Sequence, residues 1–331
     1  MLNRRQFCLG TMAAVLPTFV TESARREPWE KVAYRKPAQS RVAVLEARSY
    51  DRPLEDILYR GLQLFRLPLH GKSVVLKPNL VEYDPAGSIN THPAVVAAAI
   101  EAFKRLGARQ VIVAEGPGHR RDNEYLLTAS GFYTMLKAHQ TPYVDLNYDD
   151  VQALRLRSRF TALQQLYIPE TILQADLLVS MPKLKTHHWA GVTLSMKNLF
   201  GLIPGAIYGW PKNILHWAGL PASILDINSS LPVPQFAIVD GIVGMEGNGP
   251  IQGDSKPCGV LILGDDLVAV DATASRLMQI APTQITYLAE ANRFLGNIAE
   301  ANILQIGAGL APFRQDFRVI NRFQHLKTLH G

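Results

Sequence analysis

Short apolar runs alternate with segments of helical periodicity along most of this chain, and that alternation limits the folds it can adopt. The predicted strands are Arg41 to Ala47, Ser73 to Lys77, Gln110 to Ala114, Tyr143 to Leu146, Asp176 to Ser180, Phe236 to Val239 and Val260 to Leu263. The predicted helices are Leu54 to Phe65, His92 to Leu106, Glu124 to His139 and Leu267 to Ile280. Strands alternating with helices favour an α/β fold, here a mostly parallel, doubly wound sheet with helices on both faces.

The predicted α/β domain spans residues 41–280, between a polar linker at 25–40 and a C-terminal extension at 281–331. Residues 201–230 are rich in Gly, Pro and Trp, so we expect an irregular insertion or a lid there. In the extension, Gln284 to Phe294 has a helical pattern.

The first residues resemble an export signal. Asn3-Arg4-Arg5-Gln6-Phe7 forms a twin-arginine pattern, and an apolar stretch follows from Leu9 to Val20. That stretch is too short, and too broken by Pro17, to span a membrane. We therefore expect a twin-arginine-type signal at residues 1–24, with the export machinery as a partner and a periplasmic or otherwise exported location. An ordinary basic N-terminus is the alternative, and we expect no stable membrane span after processing.

Charge and cysteine content exclude several classes of protein. The formal net charge is +6, but seven basic and three acidic residues fall within the first 40, which leaves little excess charge for the rest. The high charge is therefore no argument for nucleic-acid binding. Cys8 and Cys258 are the two cysteines, too few for an iron–sulfur cluster held by four Cys or a zinc site built from Cys pairs.

A basic segment follows the predicted strand Asp176 to Ser180. It contains Lys183, Lys185 and His187, which share one face of an extended chain. Like charges in such proximity cost free energy unless an anion, a carboxylate or a metal-bound group compensates them. We interpret the segment as a strand end directed at an anion. A solvated basic loop is the alternative.

Polar groups also follow the other predicted strands, where ligands of parallel sheets gather. Lys77 and Asn79 follow one strand, Glu115 the next, and Asp240 a third. Simpler explanations exist for several of these groups. Lys77 could reach solvent, and Asn79 could form a turn. His92 and the pair Asp265-Asp266 could cap helices. We nevertheless expect several of these groups to belong to one site.

The combination of motifs resembles a known family. The motifs are Lys77-Pro78-Asn79-Leu80, Thr91-His92-Pro93, Ala114-Glu115-Gly116, Pro182 to His187, Lys197 to Gly201, Val239-Asp240-Gly241 and Asp265 to Asp271. In this order they are similar to the prokaryotic family called domain of unknown function 362, which implies an α/β fold and a site but names no reaction. Members often carry a ferredoxin-like segment with clustered cysteines, which this chain lacks. An electron-transfer role therefore does not carry over. Separately, Gly118-His119-Arg120 is similar to a segment of the lactate racemase family, which uses a nickel-pincer cofactor.

Residue chemistry suggests roles within such a site. The candidate catalytic residues are Lys77, Glu115, Lys183, Lys185, His187, Asp240 and Asp271. The candidate substrate-binding residues are Asn79, His92, Lys197, Asn198 and Asp254. Lysines and amides suit a carboxylate or phosphate, and carboxylates with an imidazole suit proton transfer. The same oxygen-rich set would also suit a divalent metal such as Mg or Mn, although no spacing fixes a metal site and the cofactor stays open.

Two functions therefore remain open. The first is an exported enzyme that binds a small anionic substrate and uses acid–base or metal-assisted chemistry. The second is a periplasmic binding or cofactor-carrier protein that holds an anionic ligand without turning it over. Lysines together with carboxylates favour the enzyme, since a binder needs only the cations. A structural or assembly factor is a third class, for which Lys183 and Lys185 would be dispensable.

Overall fold

A computed structural model describes residues 27–118 and 122–327. The predicted signal at residues 1–24, and His119 and Arg120 of the lactate-racemase-like segment, lie outside the described residues. Within the described ranges, every helix is too short or too polar to cross a lipid bilayer.

Most of the described strands belong to one mixed sheet. The strands are β1 (Ser40–Glu46), β2 (Ser73–Pro78), β3 (Gln110–Glu115), β4 (Tyr143–Asp145), β5 (Val151–Arg155), β6 (Gln165–Pro169), β7 (Leu177–Met181), β8 (Lys183–His187), β9 (Gly191–Thr193), β10 (Gln235–Asn248), β11 (Gln252–Gly264) and β12 (Ile303–Gly307). The sheet order is β12-β1-β11-β10-β7-β2-β3-β4, while β8 pairs with β10 and β9, and β5 with β6 forms a separate hairpin. Most neighbouring pairs of the large sheet are parallel, and β11 runs antiparallel to both β1 and β10.

Helices cover both faces of this sheet. They are α1 (Leu54–Gln63), α2 (Pro93–Arg105), α3 (Asn123–Ala129), α4 (Phe132–Ala138), α5 (Glu170–Leu173), α6 (Ser195–Asn198), α7 (Gly205–Tyr208), α8 (Asn213–Trp217), α9 (Leu220–Ser230), α10 (Leu267–Leu277) and α11 (Thr286–Ala291). Short 3-10 helices occupy Leu199–Leu202, Pro282–Gln284, Glu300–Asn302, Ala311–Phe313 and Asn321–Lys327.

Strand β2 shows how the two cores arise. Its side chains alternate, so Val74 and Leu76 join the core beneath α1, α2 and α4, whereas Val75 joins the core beneath α9, α10 and α11. A strand buried on both faces must be apolar throughout, which explains the continuous Val-Val-Leu run. The predicted mostly parallel, doubly wound α/β architecture is therefore confirmed.

Helix α2 follows directly from its sequence. His92 precedes it, and the His92 Nδ1 atom accepts a hydrogen bond from Ala94 N at 3.1 Å. Proline occupies the first helical position, where its missing N–H has no partner to lose. The helix ends just before Gly107, whose φ of 90° suits a residue without Cβ.

The sheet extends further than the sequence pattern predicts. The predicted strands at 236–239 and 260–263 are only the inner parts of β10 and β11, which continue as a long antiparallel hairpin. Strand β10 first pairs with β7 and then, from Asp240 onward, with β8, and a bulge follows Gly241. Pro182 separates β7 from β8, so the basic segment forms a strand of its own.

Three predicted segments differ in detail. The helix expected from Glu124 to His139 is broken into α3 and α4 at Gly131, where φ is 79°. Residues 201–230, expected to be irregular, hold short helical turns and the longer α9. The helix expected from Gln284 to Phe294 is limited to α11 and a preceding 3-10 turn.

The segments flanking residues 41–280 contact the sheet domain. Strand β12, in the C-terminal extension, lies parallel to β1 at the edge of the main sheet. In the linker, Trp29 stacks on Phe294 with 4.4 Å between ring centroids, and Glu27 forms an ion pair with Arg293. The C-terminal extension thus pairs with the sheet, and the linker packs against that extension.

Candidate functional site

A cavity of about 510 Å³ lies beyond the carboxyl ends of β2 and β3. Its walls come from β2, β3, β8, β9, α6, the 3-10 helix Leu199–Leu202, α8 with the residues before it, and the β10–β11 turn. The residues predicted for the site that line this cavity are Lys77, Asn79, Glu115, Lys185, His187, Lys197 and Asn198. The structure therefore brings together groups from distant parts of the chain.

A buried ion pair forms the floor of the cavity. The Lys77 Nζ atom lies 2.6 Å from Glu115 Oε2, and both side chains are almost fully buried. The carboxylate also accepts hydrogen bonds from Leu80 N at 3.1 Å and Gly116 N at 2.9 Å. Burial lowers the pKa of Lys77, and the Glu115 charge opposes that shift. Each charge thus has a fixed counter-charge, as burial in a low-dielectric interior requires.

Asn198 connects this pair to the neighbouring strand. Its Oδ1 accepts from Lys77 Nζ at 3.2 Å, while its Nδ2 donates to Lys77 O and to Ser180 Oγ, both at 3.1 Å. These bonds satisfy both ends of the amide and fix its orientation. Asn198 therefore holds the Lys77 side chain in place at the end of β2.

Gly201 explains why the Lys-Asn-Leu-Phe-Gly motif ends in glycine. A Cβ atom at residue 201 would collide with Glu115 Oε1 and would lie 2.6 Å from Lys77 Nζ. No larger residue fits this close approach of backbone to the ion pair.

Strand β8 places two predicted residues in the cavity wall. Lys185 is fully buried and donates to the carbonyl oxygens of Ile89 at 2.7 Å and Pro250 at 3.2 Å. Burial lowers the pKa of Lys185 well below its usual range, and the neighbouring lysines add to that shift. The His187 Nδ1 atom accepts from Trp189 N at 3.0 Å and Ala190 N at 3.2 Å. An Nδ1 that accepts leaves the proton on Nε2, so His187 is a neutral hydrogen-bond donor.

Lys197, at the end of α6, differs from the other lysines of the site. Its side chain is partly exposed to the cavity, and its Nζ lies 4.6 Å from the centroid of the Phe200 ring. No hydrogen-bond partner for this amine occurs among the described residues. Burial, followed by the charge of Lys77, lowers the pKa of Lys197 to about 8.

Lys212 was not predicted, yet it is central to the site. It is fully buried and donates to the carbonyl oxygens of Gly116 at 2.7 Å, Gly201 at 3.1 Å and Phe200 at 3.5 Å. Its φ of 68° is unusual for a residue with a Cβ and is held by these three contacts. Burial lowers the pKa of Lys212 to about 7. The amine ties the segment before α8 to the ends of β3 and α6.

A series of rings forms another part of the wall. Trp189 lies edge-on to two histidine rings, with 4.7 Å between centroids for His188 and 5.1 Å for His216. The His216 ring also lies edge-on to Phe200, with 5.0 Å between centroids. The His216 Nδ1 atom lies 3.1 Å from Lys212 O and donates to it, which leaves Nε2 as an acceptor. Burial lowers the pKa of His216, so the imidazole is neutral. His216 thus lines the cavity.

Two lining residues carry oxygen atoms with no internal partner. Asn79 Oδ1 and Thr193 Oγ1 are buried and accept no hydrogen bond from any described residue. Buried polar atoms are nearly always satisfied, so such exceptions concentrate where a ligand or water completes the bonding. Their position beside the lysines marks this cavity as polar as well as cationic.

Lys183, Asp240 and His92 form a separate cluster. Lys183 Nζ lies 2.6 Å from Asp240 Oδ2 and 2.9 Å from the Tyr50 hydroxyl, which itself donates to Asp240 Oδ1 at 3.1 Å. Asp240 further accepts from His92 N at 2.9 Å, and the His92 ring stacks on Tyr50. Lys183 and His92 border a smaller cavity of about 290 Å³ that is distinct from the main one. Seven predicted residues therefore line the main cavity, and these three form a cluster apart from it.

The two remaining acidic candidates lie outside the main cavity. Asp271 is fully buried and accepts from Ser195 N at 2.7 Å and Met196 N at 3.0 Å, so it caps the start of α6. Burial raises the pKa of Asp271 to about 7. Asp254 is exposed on β11 and pairs with Arg318.

Within the described ranges, no group of three or more His, Cys, Asp and Glu side chains has the geometry to hold a metal ion. The donors that line the cavity are mainly lysine amines, which are protonated cations in their ordinary state. Cys258, the one cysteine of the described ranges, is buried with its pKa raised to about 12, as expected of an unreactive thiol.

Comparison with known proteins gives one family and distant structural neighbours. The family model described as Domain of unknown function (DUF362) matches residues 74–276, which confirms the family suggested by the sequence motifs. The protein called Thylakoid-associated protein sll1697, from Synechocystis sp., is 29% identical over 270 residues, which cover 76% of this chain and 78% of the relative.

Solved structures resemble the chain only weakly. A protein from Thermotoga maritima matches with a TM-score of 0.39 and 11% identity, covering 70% of this chain and 60% of its own. The lactate racemase apoprotein from Thermoanaerobacterium thermosaccharolyticum matches with a TM-score of 0.36 and 16% identity, covering 67% of this chain and 54% of its own. The chain thus spans little more than half the length of these solved proteins, and neither likeness bears on its chemistry.

Proposed function

The chain belongs to the Domain of unknown function (DUF362) family, and on that premise we propose that it is an enzyme acting on a small anion, a carboxylate or phosphate compound, bound in the lysine-lined cavity. One observation carries the proposal. Four lysine amines line the cavity together with the carboxylates of Glu82 and Glu115, and Glu115 is already engaged by Lys77. Among the described residues, no carboxylate forms an ion pair with Lys185, Lys197 or Lys212, so the positive charge that these amines carry is unmatched.

The unmatched charge favours an anionic ligand for a physical reason. Two unit charges 4 Å apart interact by about 4 kcal/mol at the effective dielectric constant near a protein surface, so clustered ammonium groups repel strongly. Burial, together with that repulsion, lowers the pKa values of Lys185, Lys197 and Lys212. A carboxylate or phosphate would relieve it and would accept hydrogen bonds from Lys197 and from His187 Nε2–H.

Proton-transfer groups favour an enzyme over a simple binder. Amines with pKa values of about 8 at Lys197 and about 7 at Lys212 exchange protons near neutral pH, which is the range in which general acids and bases are most efficient. His216 adds a neutral Nε2 acceptor at the same cavity. A protein that only bound an anion would gain from keeping every lysine fully charged.

Binding is tested by calorimetric titration with inorganic phosphate and with succinate. We expect both anions to bind in a salt-dependent manner, and Lys197→Met to weaken binding at least tenfold. Lys137, exposed on α4 and outside the cavity, supplies the matched control Lys137→Met, which should bind as the wild type does. Equal binding by both variants, or none by the wild type, would contradict an anion site here.

Turnover is tested on protein isolated gently from its own host. Native mass spectrometry with elemental analysis reports any metal or small molecule that copurifies, and the compound identified becomes the substrate for a turnover assay. Conversion that is lost in the His216→Gln variant, with binding retained, supports the enzyme. Retention of the compound without conversion supports the alternative, a carrier of an anionic ligand.

We also propose that the protein is exported by the twin-arginine route. The support is the Arg4-Arg5 pair ahead of a short apolar stretch. A reporter fused after residue 40 should reach the periplasm, and replacement of both arginines by lysine should retain it in the cytoplasm. Export of the doubly substituted fusion would contradict this proposal.

A further inference from the structure

We propose that Lys197 is a covalent nucleophile that forms an imine with the carbonyl carbon of a small 2-oxo acid. The inference rests on the anion site proposed above and adds to it a reaction type and a substrate class. It depends on how the amine of Lys197 differs from those of the other lysines in the same cavity.

The other lysine amines are held by acceptors. Lys77 donates to Glu115 Oε2, Pro78 O and Asn198 Oδ1, which occupies all three of its N–H bonds. Lys212 likewise donates to three carbonyl oxygens, and Lys185 donates to two. Hydrogen bonds to several acceptors fix the position of each of these amines, so that none of them can turn freely toward a ligand in the cavity. These three lysines therefore contribute positive charge to the cavity and are not candidates for the nucleophile.

Lys197 is placed differently. Its amine has no acceptor among the described residues, lies over the apolar face of Phe200, and belongs to a side chain that is partly open to the cavity. Burial and then the charge of Lys77 lower the pKa of Lys197, and the charge of Glu115 opposes that shift. A lysine that lacks counter-charge contacts and neighbours other cations is the type whose neutral, nucleophilic form is populated near neutral pH.

The charge of the cavity determines which kind of carbonyl compound it would bind. Lys77, Lys185 and Lys212 give the cavity a positive field, which favours a carbonyl that carries a carboxylate. In a 2-oxo acid the carboxylate is bonded directly to the carbonyl carbon. One small molecule can therefore offer its carbonyl carbon to the Lys197 amine and its carboxylate to the other lysines. Asn79 and Thr193 supply polar groups at the same cavity for the carbonyl oxygen and the water that leaves.

The reaction balances without another reagent. The neutral Lys197 amine attacks the carbonyl carbon, and a C–N bond forms as the C=O π bond breaks. The resulting carbinolamine then loses its hydroxyl as water after a neighbouring acid protonates that hydroxyl, and the nitrogen returns one proton to the conjugate base. The product is a C=N bond between Lys197 and the substrate carbon. His216 Nε2 and the Lys212 ammonium are the groups at the cavity able to accept and supply these protons.

The experiment is reductive trapping on the full chain. The protein is incubated with pyruvate and sodium cyanoborohydride, and intact mass and tryptic peptides are then measured. We expect one adduct per chain, at Lys197, visible as a missed tryptic cleavage after that residue. The variant Lys197→Arg should show no adduct, and Lys137→Arg should react as the wild type does. Acetone, a ketone without a carboxylate, should give much less product than pyruvate.

The possible results separate this inference from the anion site. Phosphate binding without a pyruvate adduct would overturn the imine and leave the anion site intact. An adduct at another lysine, or one that persists in Lys197→Arg, would also overturn it. Absence of both phosphate binding and adduct in wild-type protein with a native circular dichroism spectrum would overturn the anion site itself. A single adduct at Lys197 that phosphate suppresses would support both.

Discussion

Replacement of Glu115 by glutamine tests whether the Lys77–Glu115 pair neutralises the cavity floor. The substitution keeps the shape of the side chain and removes its charge. The Glu115 carboxylate accepts three hydrogen bonds, from Lys77 Nζ, Leu80 N and Gly116 N. A glutamine amide would present an NH2 group to at least one of these donors, whichever way it is turned.

The expected cost follows from these contacts. A buried N–H left without an acceptor costs about 1–3 kcal/mol. Removal of one partner of a buried ion pair costs about 3–5 kcal/mol, because the other charge stays buried without compensation. The second figure already includes lost hydrogen bonds, so we expect Glu115→Gln to lower the free energy of unfolding by about 3–5 kcal/mol. Both side chains are at most 2% exposed, so solvent screening does not reduce this figure.

Urea denaturation monitored by circular dichroism measures this loss. The exposed Glu124 on α3 provides the matched control Glu124→Gln, for which we expect a change within about 0.5 kcal/mol. Added phosphate should restore part of the stability of Glu115→Gln, since an anion that binds only the folded state stabilises it by mass action. The double variant with Lys77→Met should lose less than the two single variants together.

A loss below about 1 kcal/mol for Glu115→Gln would refute the reasoning, since that is the range of a solvent-exposed ion pair. Strictly additive losses in the double variant would refute it as well, because they would show that the two side chains do not interact. In either case Lys77 would be an independent cation of the cavity, and the count of unmatched charges would rise.

Three further predictions concern single residues. Burial raises the pKa of Asp271 to about 7, which favours the protonated form of this carboxyl group in the folded protein. As the pH rises from about 4 to about 7, the free energy of unfolding of the wild type should therefore fall relative to that of Asp271→Asn, as measured by urea titrations. Gly201→Ala should lower unfolding free energy by about 1–3 kcal/mol and weaken phosphate binding, because its Cβ would lie 2.6 Å from Lys77 Nζ. Phosphate should change the tryptophan fluorescence of wild-type protein, and Trp189→Phe should abolish that change, since Trp189 lines the cavity.

Each of these has a control. A pH-independent difference between Asp271→Asn and wild type would contradict the raised pKa. Gly309, which has open space where a Cβ would be, supplies the control Gly309→Ala, and equal effects at both glycines would contradict the close approach at Gly201. Trp217 is exposed and does not line the cavity, so Trp217→Phe should keep the phosphate response.

The sequence predicts the interior of the sheet well because local pattern decides it. The runs around Val75 and Val179 are buried on both faces, so their composition alone identifies them as central strands. The outer parts of β10 and β11 are rich in Gly and polar residues, and only pairing with each other and with β8 makes them strands. Strand β12 likewise depends on β1, from which it is separated by most of the chain.

The same distinction explains the site. Lys77 and Glu115 could be predicted because each follows a recognisable strand, and Asn198 because it belongs to a family motif. Lys183 and Lys185 cannot be distinguished by pattern, since they share one face of the same strand, yet one pairs with Asp240 and the other enters the cavity. Lys212 lies in a segment without periodicity, and its role depends on carbonyl groups that tertiary folding alone brings near.

The cavity has two kinds of wall, and this difference governs how a ligand would enter. On one side, β8 is bonded into β10 and through it into the central sheet, so that wall can open only when a large cooperative unit unfolds. On another side stand the five-residue helix α8 and the two residues before it, tied to the end of β3 by the Lys212 amine. Local opening, and with it ligand exchange, should therefore be confined to α8 and those two residues. Because the pKa of Lys212 is about 7, loss of a proton near neutrality would leave one of its three carbonyl acceptors without a donor, and the access rate would be coupled to pH.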